Sequence, residues 1–199
     1  MQRIVLASSN PGKLKEFGAL LADSGLEVVP QASLGIEDAE ETGLTFVENA
    51  LIKARHAAQA SGLPALADDS GLCVDYLHGA PGLYSARYSG GHGDAAANNA
   101  KLLRALEGVP ARQRCAFFIG VLVLLRHADD PAPVIAEGRW HGRILAEERG
   151  TGGFGYNPVF LPDGYEQSVA EMDDALKNRL SHRGQALAQL RERLRELHA

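Results

Sequence analysis

Short uninterrupted apolar runs alternate along this chain with segments in which apolar residues recur every three or four positions, the signatures of buried strands and one-sided helices. The first run, Arg3-Ile4-Val5-Leu6-Ala7, predicts a strand; Leu14, Phe17, Leu20 and Leu21 then share one face of a helix that Gly25 would end. Residues 26–29 predict a second strand. Thr45-Phe46-Val47-Glu48 matches a capping box, and helical composition continues from it to Gly62. Residues 64–67 read as a short strand that ends in the charged turn Asp68-Asp69-Ser70-Gly71, with a further strand over 72–76. Gly79-Ala80-Pro81-Gly82 predicts a turn, Tyr84-Ser85-Ala86-Arg87-Tyr88 an ordered loop, and Asp94 caps an alanine-rich helix through Leu106. Two β segments, 115–125 and 134–140, have the spacing of an antiparallel hairpin. Residues 169–197 read as helical with an interruption around 178–184, where Ser181 is the expected N-cap of the last helix. The pattern begins as α/β and adds antiparallel strands. No repeat or low-complexity linker divides it, so 1–199 is expected to be one domain.

Composition narrows the function classes. At 199 residues, with 45% hydrophobic and 23% charged, the chain matches an ordinary soluble globule. A net charge of -5 leaves no basic surplus to neutralise a nucleic-acid backbone, whereas a small polyanion needs only a few local cations. Cys73 and Cys115 lie in apolar segments without CxxC or Cys/His spacing, which predicts buried thiols in a reducing, cytoplasmic setting. The apolar run after Arg3 is too short for a signal peptide and the one over 115–125 too short to span a bilayer, so no membrane partner is expected.

The chemistry concentrates in a few stretches. In Leu66-Ala67-Asp68-Asp69-Ser70-Gly71-Leu72 an apolar run meets two carboxylates. Buried unpaired carboxylates are costly, so both are expected to face solvent; an Asx-type turn between two strands would have the same makeup. Ser8-Ser9-Asn10-Pro11-Gly12-Lys13 joins a strand to a helix start, an arrangement that offers backbone N–H groups and a lysine to phosphate, as well as being an ordinary capped connection. It lacks the P-loop pattern. Glu37, Asp38, Glu40 and Glu41 make 36–43 acidic, most simply a solvated loop, and composition places Lys53 on the surface. Gly150-Thr151-Gly152-Gly153-Phe154-Gly155-Tyr156-Asn157-Pro158 has the makeup of a pocket for a planar ring and equally of a hairpin with a glycine bulge. His182 and Arg183 would sit in the first turn of the last helix, against its dipole, where a nearby anionic ligand or plain exposure would account for them.

Together these stretches resemble the inosine triphosphate pyrophosphatase family, the Ham1- or RdgB-type dITP/XTP pyrophosphatases, over almost the whole chain. The marks are Ser8 through Lys13, Glu40-Glu41-Thr42-Gly43 with Thr45-Phe46 and Glu48-Asn49-Ala50, Ala67 through Leu72, Pro81-Gly82 with Tyr84 through Tyr88, Gly152 through Tyr156, and Ser181-His182-Arg183. The resemblance implies an α/β fold in which a long curved mixed sheet carries helices on both sides and two lobes flank a central cleft. It implies a homodimer that hydrolyses ITP, dITP and XTP to the monophosphate and pyrophosphate with Mg²⁺, keeping deaminated purines out of DNA and RNA. By the same resemblance Asp69 is general base and metal ligand with Asp68 beside it, and Glu40 or Glu41 supplies the other metal carboxylate. Phosphate contacts fall to Ser8, Ser9, Asn10, Pro11, Gly12, Lys13, Lys53, Ser70 and Lys177; base contacts fall to Phe154, Gly155, Tyr156 and Asn157 with His182 and Arg183.

The residue types suit that reaction. Lysines and a divalent cation offset the charge that builds on departing pyrophosphate, and a carboxylate can orient or deprotonate the attacking water or fix the metal that does so. A 6-keto purine needs donors aimed at O6, where an adenine amino group would set donor against donor; such buried mismatches discriminate on the order of 10⁴, against roughly 10 to 200 for shape alone. Two positions depart from the family pattern. Ser8 replaces a frequent threonine and keeps the hydroxyl, and Asn157 replaces a usual aspartate, removing a charge while adding an amide donor.

Overall fold

The computed structural model describes residues 2–22, 26–91 and 93–197, so the expected helix terminator Gly25 lies outside the described residues. In chain order the regular elements are β1 (Gln2–Ala7), α1 (Pro11–Leu21), β2 (Leu26–Pro30), α2 (Phe46–Ser61), β3 (Ala65–Val74), α3 (Ala95–Ala105), β4 (Cys115–Leu125), β5 (Val134–Ile144), β6 (Phe160–Pro162), α4 (Asp174–Leu180) and α5 (His182–Leu197). The strands form one sheet in the order β2-β1-β3-β4-β5-β6. β1 runs parallel to β2 and to β3, with Val5 opposite Ala65 and Ala7 opposite Ala67, whereas β6 is antiparallel to β5. The sheet is therefore mixed, as an α/β chain with added antiparallel strands requires.

Local signals explain the element ends. Asn10 caps α1 by accepting the Gly12 and Lys13 N–H groups, and Pro11 occupies the first helical position, where its missing N–H costs nothing. Thr45 caps α2 by accepting the Glu48 N–H, and Gly62 closes it in the left-handed conformation. The Glu48 carboxylate returns to the Leu44 N–H and the Thr45 hydroxyl. Asp94 accepts the Ala97 N–H at the start of α3. Beyond the end of α3 the buried guanidinium of Arg114 donates to the carbonyls of Leu106, Val109 and Leu145, so that backbone oxygens satisfy the charge.

The chain divides into two compact units, the first of residues 1–69, 120–138 and 183–199, the second of 70–119 and 139–182. In the first, Ile4, Leu6, Leu66 and Leu122 of the strands pack with Phe17 and Leu21 of α1 and with Ala186, Leu187 and Leu190 of α5. In the second, Leu72, Val74, Phe118, Trp140 and Phe160 pack with Leu102 and Leu106 of the α3 region. The α1 residues spaced for one helical face thus reach a core: Phe17 and Leu21 are buried, and Leu14 and Leu20 pack against it.

Several expectations change. β3 does not end at the acidic pair; it continues through Asp68, Asp69, Ser70 and Gly71, and neither carboxylate faces solvent. The two-strands-and-a-turn reading failed because it took burial of carboxylates as prohibitive, and here cations are buried with them. The stretch 150–158 contains no strand of its own and lies in the long connection between the antiparallel strands β5 and β6. It is a chain of turns leading into a 3₁₀ turn at Asn157–Val159, with the Gly152 N–H donating to the Ala170 carbonyl. A Cβ at Gly152 would lie 2.6 Å from that oxygen, so the approach requires glycine. The strand expected over 134–140 extends to Ile144. Cys73 is a buried thiol as expected, but Cys115, at the first position of β4, is exposed.

Candidate active site

The connection between β1 and α1 is folded on its own polar groups. Ser8 Oγ accepts the Asn10 N–H at 3.2 Å, and Asn10 Oδ1 takes the Gly12 N–H at 2.9 Å and the Lys13 N–H at 3.2 Å. Ser9 Oγ and Gln31 Nε2 both donate to the carboxylate of Asp38, tying the acidic segment to this loop. Lys13 therefore leaves the first turn of a well-anchored helix, and its Nζ meets Asp68 Oδ2 at 2.7 Å.

Asp68 is only 1% exposed, and three charged groups accompany it. Besides Lys13, the Arg183 Nε lies 3.5 Å from its Oδ2, and Arg183 also donates from NH1 to Glu16 Oε2 at 2.8 Å. Burial pushes the Asp68 carboxyl up, but Lys13 and Arg183 outweigh it and hold the group well below the usual carboxylate range. Burial also lowers the Lys13 ammonium, with Lys53 and Arg183 adding to the effect. Asp68 is in effect a fixed counter-ion for the cations around it.

Its neighbour behaves oppositely. Successive strand side chains point to opposite faces, and Asp69 has a different partner: Lys53 Nζ, 2.6 Å from Asp69 Oδ1 and 2.9 Å from Glu41 Oε1. Burial raises the Asp69 proton affinity and Glu41 adds to it; Lys53 and Lys13 offset these effects without cancelling them. Burial lowers the Lys53 ammonium, but Asp69 and Glu41 prevail and raise it overall. Lys53 is thus not a surface lysine, and Glu41 rather than the exposed Glu40 is the acidic-segment residue turned toward it. Two adjacent carboxylates with proton affinities driven apart are a common sign of divided roles.

Among the described residues no group of three His, Cys, Asp or Glu side chains could hold a metal ion. Glu41 and Asp69 nonetheless converge on one ammonium, so two hard oxygen donors are already arranged around a single positive charge. That donor set fits Mg²⁺, which takes one or two protein carboxylates and completes its shell with water and phosphate.

The other expected residues belong to the second unit. Phe154 and Gly155 are half-buried, and Tyr156 and Asn157 are buried. The Tyr156 hydroxyl donates to the Ser85 carbonyl at 2.8 Å. A Cβ at Gly153, whose φ is +74°, would lie 2.0 Å from the Asn157 amide nitrogen, so that side chain is packed directly over the glycine backbone. His182 is buried and stacks on Phe118 with ring centroids 5.1 Å apart and planes 13° apart. Lys177 is buried on α4, with Nζ 3.3 Å from Asp174 Oδ1. Ser70 is half-buried on β3.

The first unit thus brings together Lys13, Lys53, Asp68, Asp69, Glu41 and Arg183 through direct ion pairs. Arg183 is not exposed; it lies against carboxylates of the protein itself, Glu16 and Asp68. Sequence reasoning missed Glu16, which reads as a surface charge on α1, and the pair Asn98 and Asn99. The latter carry a signal: two adjacent amides inside an alanine-rich helix are poor helix formers and indicate a tertiary task.

A model of the Ham1 family matches residues 4–193. The chain is 64% identical over 197 residues to the dITP/XTP pyrophosphatase of Xanthomonas oryzae pv. oryzae, covering 99% of each chain. It is 59% identical over 192 residues to that of Xylella fastidiosa, covering 96% of each. Among solved structures it is similar to a HAM1 protein from Coxiella burnetii, with a TM-score of 0.90 and 49% identity over 98% of this chain and 100% of that one. It is also similar to a nucleoside-triphosphatase / dITP/XTP pyrophosphatase from Mycobacterium abscessus, with a TM-score of 0.77 and 44% identity over 95% and 98% of the two chains. With its mixed six-stranded sheet and a match that runs nearly from end to end, this chain belongs to the Ham1 family.

Proposed function

We propose that this protein is a nucleoside triphosphate pyrophosphatase that hydrolyses ITP, dITP and XTP to the monophosphate and pyrophosphate, removing deaminated purines before they enter DNA or RNA. The observation that carries the proposal is the ion pairing of the two buried carboxylates adjacent on β3, Asp68 with Lys13 and Asp69 with Lys53, the latter lysine also meeting Glu41. A protein that only bound nucleotides would need the lysines but not a second carboxylate of raised proton affinity.

In this reading the Ser8 to Lys13 loop, Lys53, Ser70 and Lys177 hold the phosphates. Asp69 takes a proton from the water whose oxygen attacks the α-phosphorus; the bond from that phosphorus to the bridging oxygen breaks, and pyrophosphate leaves with the bridging oxygen. Lys13 and Lys53 offset the charge gathering on the leaving group. Asp68 stays ionised throughout and keeps Lys13 in place. Glu41 with Asp69 would hold Mg²⁺, which when bound supplies further charge neutralisation at the phosphate oxygens. Phe154 to Asn157, His182 and Arg183 serve the base, with the Arg183 guanidinium engaged by Glu16 and Asp68. The whole chain, 1–199, acts as one functional domain, a cytoplasmic homodimer in this reading. Among the described residues no helix is long and apolar enough to cross a membrane.

The test is pyrophosphate release from ITP, ATP and GTP with Mg²⁺, for the parent and Asp69→Asn together. Turnover of ITP with little of ATP or GTP, and near-complete loss in Asp69→Asn, is expected. Orthophosphate instead of pyrophosphate would refute the reaction class, and full activity in Asp69→Asn would refute the assigned base.

A further inference from the structure

The second unit contains a hydrogen-bond hub that the mechanism above leaves unused. It centres on Ser85, in the 3₁₀ turn Gly82–Arg87. The Ser85 hydroxyl accepts the Leu72 N–H of β3 at 2.9 Å and donates to the Gly82 carbonyl at 2.6 Å. Its carbonyl oxygen accepts from the Tyr156 hydroxyl at 2.8 Å and from the Asn98 side-chain amide at 3.3 Å. Asn98, buried on α3, also accepts the Ser89 N–H at 2.6 Å, and the next residue, Asn99, donates to the Gly155 carbonyl at 3.2 Å. A strand, a turn, a helix and the glycine-rich segment are thereby referred to one serine.

Two features set this hub apart from ordinary packing. Leu72 follows Asp69 and Ser70 on an uninterrupted strand, about 10 Å from Asp69 at the usual rise. Leu72 thus stands two residues beyond Ser70, which is assigned to the phosphates, on the same strand. The Tyr156 hydroxyl is also turned onto a protein carbonyl, and burial raises its proton affinity. As a donor it is committed to holding the segment in place.

We propose that Ser85 is a positioning residue for the pyrophosphatase reaction, fixing the Phe154–Asn157 segment through Tyr156 and the Ser70 stretch of β3 through Leu72 to a single point. The proposal rests on the reading that Phe154–Asn157 meets the base. Reacting groups misplaced by about 1 Å can lose on the order of 10²-fold in rate, so looseness at Ser85 registers in catalysis before it registers in folding.

Ser85→Ala removes the hydroxyl arm, Ser85→Thr retains it, and Tyr156→Phe removes the other arm while keeping the ring. Ser85→Ala is expected to lower kcat/KM for ITP about tenfold and to narrow the ITP-to-GTP preference, with Ser85→Thr restoring both to within about threefold. Tyr156→Phe is expected to act mainly on KM. Each variant is also followed by thermal unfolding, and Phe154→Ala is measured beside them. If Ser85→Ala keeps parental kcat/KM and preference while Phe154→Ala raises KM, the positioning role is overturned and the base reading stands. If Phe154→Ala leaves KM for ITP unchanged, the base reading fails and this proposal falls with it. A Ser85→Ala defect that Ser85→Thr does not relieve, and that follows melting temperature alone, also overturns it.

Discussion

Asp68 and Asp69 are chemically identical neighbours on one strand, and their surroundings give them opposite characters. Asp68 is buried against Lys13 and Arg183 and remains an anion; Asp69 is buried against Lys53 and a second carboxylate and gains proton affinity. Removing the charge of Asp68 leaves buried cations facing a neutral amide, and breaking a buried pair on one side costs about 3 to 5 kcal/mol. Asp68→Asn is therefore expected to lower stability by about 3 kcal/mol in urea unfolding, well beyond what an exposed Asp gives. Asn157 offers a milder case. Its amide is packed over Gly153, and a carboxylate of the same shape loses the donor without adding bulk. Asn157→Asp should retain ITP hydrolysis within about tenfold while changing the ratio of rates on ITP, XTP and GTP; appearance of ITP hydrolysis only in the Asp form would contradict this. At this scale the family resemblance singled out Lys13, Lys53, Asp68, Asp69 and Arg183, which ion pairs join in the structure, because the order of those motifs along the chain is distinctive. It did not reveal that Glu41 and not Glu40 approaches Lys53, or that Glu16 shares Arg183, since adjacent or helical charges differ only in tertiary direction.

The elements themselves were legible where local chemistry fixes them. The caps at Asn10, Thr45 and Asp94 and the stop at Gly62 all lie where their side chains or backbone requirements place them. The error at β3 was of another kind: its continuity depends on cations from α1, α2 and α5, none of which is visible in a window around Asp68. The connection after β4 supplies a test at this scale. Asp130, 1% exposed, accepts from the Arg126 backbone N–H and guanidinium and from the Ala132 N–H. The Arg126 hydrogen bond, with these N–H groups, holds its carboxyl well below the ordinary value of 3.8 despite burial. A depressed folded-state value means that the unfolded chain binds the proton more readily, so the contribution is present above about pH 4 and is lost as pH falls further. Stability measured from about pH 5 to pH 2 should therefore decline less steeply in Asp130→Asn than in the parent; identical slopes would show that the turn carries no such linkage.

For the molecule as a whole, the α/β class and mixed sheet were readable from the alternation of runs and periodic segments, and family membership from six ordered motifs. Association was not, because an apolar strand residue looks the same whether it faces a core or a partner. The proposed homodimer predicts a sedimentation-equilibrium mass twice that of one chain at micromolar concentration, and a mass equal to one chain would refute it. Discontinuity of the first unit has a temporal consequence. Asp68 is synthesised well after Lys13, but Arg183, its other cationic neighbour, comes from the third and last stretch of that unit. At about 5–20 residues per second, the nascent chain carries this carboxylate for on the order of ten seconds before the guanidinium exists to face it. During that interval only Lys13 of its two cationic neighbours exists to face Asp68, and the second ion pair can form only once translation has passed Arg183.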